Sequence, residues 1–310
     1  MTASTARYAF RPMTATIIDS GNAATMISAA SDISSPVGVI AGGGVMPFAV
    51  ADSLAARGRE PVLFALRGAC DPGRAERFRH HWISVGQLGR AARLFREEGC
   101  RDLIFIGTMV RPALSDLRLD WGTLRVIGDV MKAFRGGDDH LLSGIGRILE
   151  RGGFRMVGIR DVAPDLLIPE GSMTRAAPDS GACADIAKGR EVLRALGPFD
   201  IGQAVVVISG HVVAMEDIEG TDALLTRVAR LRADGRIRSK PGQGVLVKAP
   251  KTGQDLRFDL PTVGPRTIEG LANAKLAGVA IVAGHTIAAD AQAMIEAADQ
   301  DGLFIEGLPA

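Results

Sequence analysis

Cysteine, aromatic residues and long apolar runs are all scarce in this chain, and each scarcity removes a class of protein. Three cysteines occur in 310 residues, Cys70, Cys100 and Cys183, far apart and without a C-x-x-C pair. That spacing argues against a zinc site or a disulfide framework and fits a reducing compartment. No apolar run approaches the roughly 18 residues that a membrane-spanning helix needs, and residues 1–35 lack the hydrophobic stretch of a secretory signal. An excess of one charge is missing too: 36 Lys and Arg against 35 Asp and Glu leave a formal net charge of +1. No global field draws such a chain to nucleic acid or to anionic lipid, so no nucleic-acid partner is expected. What is present, 47% hydrophobic and 23% charged residues, is the composition of a globular protein with ample core for two domains or one large one. A cytoplasmic location is the expectation.

Residues 1–35 stand apart from the rest. They are rich in Ala, Ser and Thr and show no sustained apolar period, so they read as a tail without fixed structure, with Met13 and Met26 as alternative starts. From Pro36 the pattern changes. Val37–Ala41 reads as a buried strand, Gly42-Gly43-Gly44 as its end, and Met46 to Arg57 as a helix. Strands over Pro61–Leu66, His81–Val85 and Asp102–Gly107 follow, with a helix over Leu88–Glu98. Helices over Leu124–Phe134 and Asp139–Arg151 and a strand over Phe154–Ile159 complete this half. Such alternation predicts a doubly wound parallel sheet. Asp161 to Gly171 contains two prolines and little periodicity, which marks a boundary. Beyond it come a helix over Ile186–Leu196 stopped by Gly197-Pro198, and two strands, Val205–Ile208 and His211–Ala214, joined by the turn Ser209-Gly210. A strand over Gly244–Lys248, a helix over Ile268–Ala277 and a strand over Val279–Ala283 follow. The expected fold is α/β: a Rossmann-like N-terminal domain over 36–162, a linker over 163–171, and a distinct C-terminal α/β domain over 172–310 that carries the acidic motifs.

Chemistry concentrates in a few loops of this frame. Gly42-Gly43-Gly44 lies where a Rossmann fold binds phosphate, after the first strand and before a helix. Pro47, however, replaces the third glycine of a dinucleotide fingerprint, and Arg67-Gly68 stands where an acid would hold a ribose. A tight turn without ligand is the competing reading. Asp138 and Asp139 open a helix; one of them can cap it, which leaves the other unexplained. Glu216, Asp217, Glu219 and Asp222 crowd a strand-to-helix corner for which Thr221 reads as the N-cap. Carboxylates beside a helix N-terminus suit a divalent metal and an anionic ligand held together, although acids in a first turn also simply offset the helix dipole. Asp255, Arg257 and Asp259 alternate in what reads as extended chain, projecting from one face. Such a row presents a guanidinium to phosphate and a carboxylate to metal or water, or else forms a surface ion-pair ladder. Gly264-Pro265-Arg266-Thr267 then turns into a helix.

Taken in order, these motifs resemble the LpxI-type UDP-2,3-diacylglucosamine pyrophosphatases. The resemblance runs from about Pro36 to the C-terminus. It rests on Ile40-Ala41-Gly42-Gly43-Gly44, on Gly137-Asp138-Asp139 with Leu141-Leu142, on Glu219-Gly220-Thr221-Asp222, and on Gln254-Asp255-x-Arg257-x-Asp259-x-Pro261-x-x-Gly264. It implies a ligand in the cleft between two α/β domains and Mg²⁺-dependent hydrolysis of the UDP-2,3-diacylglucosamine pyrophosphate. The products are UMP and 2,3-diacylglucosamine 1-phosphate (lipid X), an intermediate of lipid A assembly. On that reading Asp222 and Glu219 hold the metal and, with Asp259 and Asp255, are the candidate catalytic carboxylates. Gly42, Gly43, Gly44, Asp138, Asp139, Thr221, Arg257, Gly264 and Thr267 are the candidate substrate contacts. The implied partner is a lipid-linked nucleotide sugar met in transient contact with the inner membrane surface, and a homodimer is compatible with the pattern. Two other classes fit parts of the sequence: a Rossmann-type NAD(P) oxidoreductase, from the glycine-rich first turn, and a non-catalytic nucleotide-sugar or lipid-binding protein.

Overall fold

The computed structural model describes residues 33–108, 119–134, 138–199, 201–251, 255–258 and 260–310. The chain divides into two compact units between Ala163 and Pro164. The first contains β1 (Val37–Ala41), α1 (Met46–Ala56), β2 (Pro61–Leu66), α2 (Pro72–Ala75), β3 (His80–Ile83), α3 (Leu88–Glu97), β4 (Asp102–Ile106), α4 (Trp121–Arg125), α5 (Ile127–Phe134), α6 (Asp138–Arg151), β5 (Arg155–Met156) and α7 (Ile159–Val162). Its sheet has the order β3-β2-β1-β4-β5 with every pair parallel. The central strands are unbroken apolar runs because helices cover both faces of a parallel sheet, and every residue of β1 is buried.

Asp102 opens β4 and is wholly buried. Its carboxylate accepts hydrogen bonds from Arg155 on β5, Nε at 2.6 Å and Nη2 at 2.8 Å. It also accepts them from Ser34, backbone N at 2.6 Å and Oγ at 2.7 Å. Ile33 is buried as well. Ile33 to Ser35, which composition assigns to the tail, are therefore tied to the end of the sheet.

Two elements differ from expectation. The helix expected over Leu124–Phe134 is two helices, because the turn at Val126 separates α4 from α5. Asp120 sets the start of α4: its carboxylate accepts from Thr123 N at 2.8 Å and also from Arg90 N, in the first turn of α3, at 2.7 Å. The strand expected over Phe154–Ile159 is two residues long, since the Gly158 N–H is captured by Asp161 at 2.9 Å and Ile159 begins α7.

The second unit contains β6 (Gly171–Ser172), α8 (Ser180–Leu196), β7 (Ala204–Ile208), β8 (His211–Met215), α9 (Gly220–Ala233), β9 (Val245–Lys248), β10 (Thr262–Val263), α10 (Pro265–Asn273), β11 (Gly278–Val282), β12 (Ile287–Ala288), α11 (Ala291–Asp301) and β13 (Phe304–Leu308). The main sheet runs β6-β13-β11-β9-β7-β8. Strands β9, β11 and β13 are parallel, while β7, β8 and β6 pair antiparallel with their neighbours. Alternate side chains leave opposite faces. Val205, Val207, Val245 and Val247 join Ile186 and Leu193 of α8 in one core. Val206, Leu246, Val279 and Ile281 join Leu224, Leu225 and Val228 of α9, Ile268 and Leu271 of α10, and Met294 of α11 in the other. The result is one sheet between two helical layers. Gly270 lets α10 lie close on α9, because a Cβ there would stand 2.8 Å from Leu225 Cδ1.

The hairpin β7–β8 forms at the expected turn, and Asp185 of α8 explains why it holds. Ser209 and Gly210 both have positive φ, and their N–H groups are captured by the buried Asp185 carboxylate at 2.9 and 2.7 Å. Helix α8 begins at Ser180, two turns before the expected start. Asp179 caps it through Ala182 N at 2.7 Å, and the polar Ser-Gly-Ala-Cys-Ala-Asp opening hides the apolar period. Helix α10 starts at Pro265 rather than Ile268 and ends at Asn273. The expected linker is partly core of the second unit: Leu166, Leu167 and Ile168 are buried, and Ile168 exchanges backbone hydrogen bonds with Thr286 and Gly284. Residues 255–258 turn instead of extending, closed by Phe258 N to Asp255 O at 3.0 Å. Asp259 lies outside the described residues.

Candidate active site

Strand β8 delivers the chain to Glu216, and Gly220, at φ +79°, swings it into α9. Glu219 is the N-cap of α9, and no side chain caps that end. The N-cap of α10 is Gly264, again without a side-chain cap, followed by Pro265 with its helical φ preset. These two helix starts line one cavity of about 400 Å³. Glu219, Gly220, Thr221 and Asp222 form one wall; Thr262 to Thr267 form the other, with Ala289 between them. Two motifs far apart in sequence, Glu-Gly-Thr-Asp and Gly-Pro-Arg-Thr, thus meet. Helix N-termini present N–H groups and the positive end of a dipole, which suits a phosphate-like anion.

The charged groups of the cavity are paired at its surface. Asp222 Oδ2 lies 3.5 Å from Arg266 Nη2, with side chains 53% and 87% exposed. So exposed a pair adds little stability, and each partner can exchange the other for a ligand. Glu219 pairs with Arg227, which also donates to Met215 O at 2.6 Å. Gly264 lines the cavity, as does the buried Thr267.

Thr221 corrects an expectation. It is not the N-cap but lies inside the first turn, with its hydroxyl turned into the protein. The hydroxyl donates to Glu216 Oε1 at 2.6 Å and accepts from Lys248 Nζ at 2.7 Å. Glu216 is accordingly buried and does not contribute to the cavity wall. Lys248 and Arg266 are the residues that sequence reasoning missed. A lysine after Val-Leu-Val reads as a strand end in solvent, and an arginine in a first turn reads as surface. The signal available for Arg266 was its place between Gly264 and Thr267, both already singled out.

Asp255 and Arg257 form a local pair, Nε to Oδ1 at 3.0 Å and Nη2 to Oδ2 at 2.8 Å, and neither lines the cavity. In the first unit, Gly42 N is bonded to Ile106 O at 2.8 Å and Gly43 N to Thr108 O at 2.7 Å. A Cβ on Gly42 would stand 2.5 Å from Thr108 O, and one on Gly43 2.8 Å from Thr108 Oγ1. These glycines are required by the close approach of the loop after β4. With Pro47 offering no N–H in the first turn of α1, the dinucleotide reading loses its phosphate cradle. Asp138 begins α6 and Asp139 follows it; their side chains lie outside what the structure describes. Among the described residues, no group of three or more His, Cys, Asp and Glu side chains is placed to hold a metal ion. Glu219 and Asp222 are two carboxylates on one cavity wall.

Comparison with known sequences places this architecture. The chain matches the LpxI N-terminal domain over residues 36–166 and the LpxI C-terminal domain over 169–306. The chain belongs to the LpxI family. It is 40% identical over 272 residues to the UDP-2,3-diacylglucosamine pyrophosphatase LpxI of Caulobacter vibrioides, an alignment covering 88% of this chain and 97% of that protein. The two LpxI domain matches adjoin close to the break between Ala163 and Pro164. Every residue lining the cavity falls within the LpxI C-terminal domain.

Proposed function

We propose that this protein hydrolyses the pyrophosphate of UDP-2,3-diacylglucosamine to UMP and 2,3-diacylglucosamine 1-phosphate in lipid A assembly, and that the cavity between the starts of α9 and α10 is where the phosphoryl groups react. One observation carries the reading: Asp222 and Arg266 face each other where two helix N-termini line one cavity, in a chain 40% identical to a relative named for this activity.

The chemistry follows from charge. A pyrophosphate diester is anionic, so attack by water on phosphorus requires that charge to be neutralised and the water to be held in line. Arg266 leaves Asp222 for a phosphate oxygen, and the N–H groups of both first turns support the same anion. Asp222, released from its ion pair, accepts a hydrogen bond from the attacking water and orients it. The water oxygen forms a new P–O bond, the bridging P–O bond breaks, and two monophosphates leave. Magnesium usually takes one or two protein carboxylates and completes its shell with water and phosphate oxygens, and Glu219 with Asp222 meets that modest demand. Bound there, the metal supplies positive charge to the phosphoryl oxygens. The acyl chains of the substrate bring the protein transiently to the inner membrane surface; no helix among the described residues is long and apolar enough to cross a membrane.

The test is UMP release from UDP-2,3-diacylglucosamine with and without Mg²⁺, for wild type and Asp222→Asn. The expected result is Mg²⁺-dependent turnover that falls by about 10²–10⁴-fold in the variant. A wild type that binds the substrate without turnover under any divalent metal overturns the enzyme reading. Equal rates for both proteins remove Asp222 from the chemistry and redirect it to Asp255 and Asp259.

A further inference from the structure

Behind the cavity wall runs a chain of buried polar groups to which the reaction described above assigns no part. Lys248 at the end of β9 is 6% exposed, Glu216 after β8 is 8%, and Thr221 in the first turn of α9 is 9%. A threonine hydroxyl has one proton and two lone pairs, a carboxylate only accepts and an ammonium only donates. The direction of the chain is therefore fixed: Lys248 Nζ donates to Thr221 Oγ1 at 2.7 Å, and Thr221 donates to Glu216 Oε1 at 2.6 Å. The second oxygen of Glu216 takes the Gln203 N–H at 2.8 Å. The single proton of Thr221 is committed to the interior, so this residue lines the cavity without offering that proton to a ligand.

Burying two opposite charges is costly, and apolar residues of similar volume often stabilise a fold as well or better. What such a chain adds is geometry. It ties the ends of β8 and β9, the two strands that flank β7 in the sheet, to one hydroxyl in the first turn of α9. The next residue is Asp222, and the residue before is Gly220 at φ +79°, a pivot about which an untied turn would rotate.

We propose that Lys248 and Glu216 are positioning residues for the hydrolytic site: they clamp Thr221 inward and thereby hold the first turn of α9 so that Asp222 and the helix N–H groups face the cavity. This rests on the functional reading above. Neither residue touches substrate; both act through Thr221.

The experiment compares wild type, Thr221→Val, Thr221→Ser and Lys248→Met in the full chain. Thr221→Val keeps the volume and removes the hydroxyl, and Thr221→Ser restores it. Two readouts are taken: amide hydrogen exchange in the first turn of α9, and kcat and KM for UMP release. The clamp predicts faster exchange at the start of α9 in Thr221→Val and Lys248→Met, with protection regained in Thr221→Ser. It also predicts a fall in kcat of about 100-fold, the scale of a small misplacement of a reacting group, with KM unchanged and with recovery in Thr221→Ser. In an Asp222→Asn background, Thr221→Val should slow the residual rate far less. Unchanged exchange overturns the clamp. Faster exchange with unaltered kcat, or an equal slowing in the Asp222→Asn background, overturns the positioning role. A rise in KM with kcat unaltered makes Thr221 a direct substrate contact instead. A wild type without activity fails the functional reading, and the exchange measurement still decides the clamp.

Discussion

Arg155→Ala gives the sharpest test of the electrostatics inside the first unit. Asp102 is wholly buried and its carboxylate takes two hydrogen bonds from Arg155 and two from Ser34. Burial alone would push this carboxyl up; the bonds from Arg155 and Ser34, with the guanidinium charge, outweigh it and hold the group below the usual carboxylate range. Removing one partner of a buried ion pair costs about 3–5 kcal/mol because the other charge is left uncompensated. Arg155 is 42% exposed, so water replaces part of what is lost and a cost of about 2 kcal/mol is the better expectation. For a unit of this size that lowers the melting temperature by roughly 6–8 °C. Both tryptophans, Trp82 and Trp121, belong to the first unit, so tryptophan fluorescence follows its unfolding directly.

The pH dependence has a definite sign. A carboxyl whose folded pKa is depressed stabilises the fold above its unfolded value of about 3.9, and that contribution is lost as pH falls through the folded value. In Arg155→Ala the buried carboxyl loses its counter-charge and takes up a proton more readily in the folded state. The deficit relative to wild type should therefore be largest near neutral pH and shrink toward about pH 4. A variant that melts with wild type at pH 7, or a deficit that does not change with pH, would refute the account.

Two further outcomes follow from the same structure. Burial alone would push the Asp120 carboxyl up, but the bonds it accepts from the Thr123 hydroxyl and from Thr123 N, Arg90 N and Gly89 N outweigh it and hold the group below the usual range. Asp120→Ala removes a cap from both α3 and α4 and should cost about 2 kcal/mol at pH 7. That difference should fade as acid protonates Asp120 in wild type, and melting curves at the two pH values check both statements. Iodoacetamide under native conditions should label the exposed Cys183 and spare Cys70 and Cys100. Burial and the Glu98 and Glu60 carboxylates push the Cys100 thiol up to about 12, so little thiolate is available to react. Peptide mass spectra with and without denaturant read the outcome, and native labelling of Cys100 would overturn it.

Local chemistry made much of this protein legible before any coordinates. Val37–Ala41, Pro61–Leu66 and Val205–Ile208 announce strands because unbroken β-branched and apolar runs have nowhere to go but a sheet covered on both faces. Ser209-Gly210 announces a turn because a glycine tolerates the positive φ that the hairpin needs. Glu219 to Asp222 and Gly264 to Thr267 announce the starts of helices beside carboxylates and glycine. The starts of α8 and α4 were hidden, since each is decided by a capping aspartate, Asp179 or Asp120, rather than by apolar period.

Tertiary structure alone decided which of these motifs share a site. Asp255 and Arg257 turn back on each other, while Arg266 reaches Asp222 across a cavity that exists because Gly270 lets α10 lie close on Leu225 of α9. Lys248 ends a strand in the sequence and becomes a buried donor only when β9 lies under the first turn of α9. The reason is physical. Backbone preference and apolar period act over a few neighbouring residues, whereas the meeting of Thr221 with Lys248, or of Asp222 with Arg266, depends on how whole helices settle on the sheet.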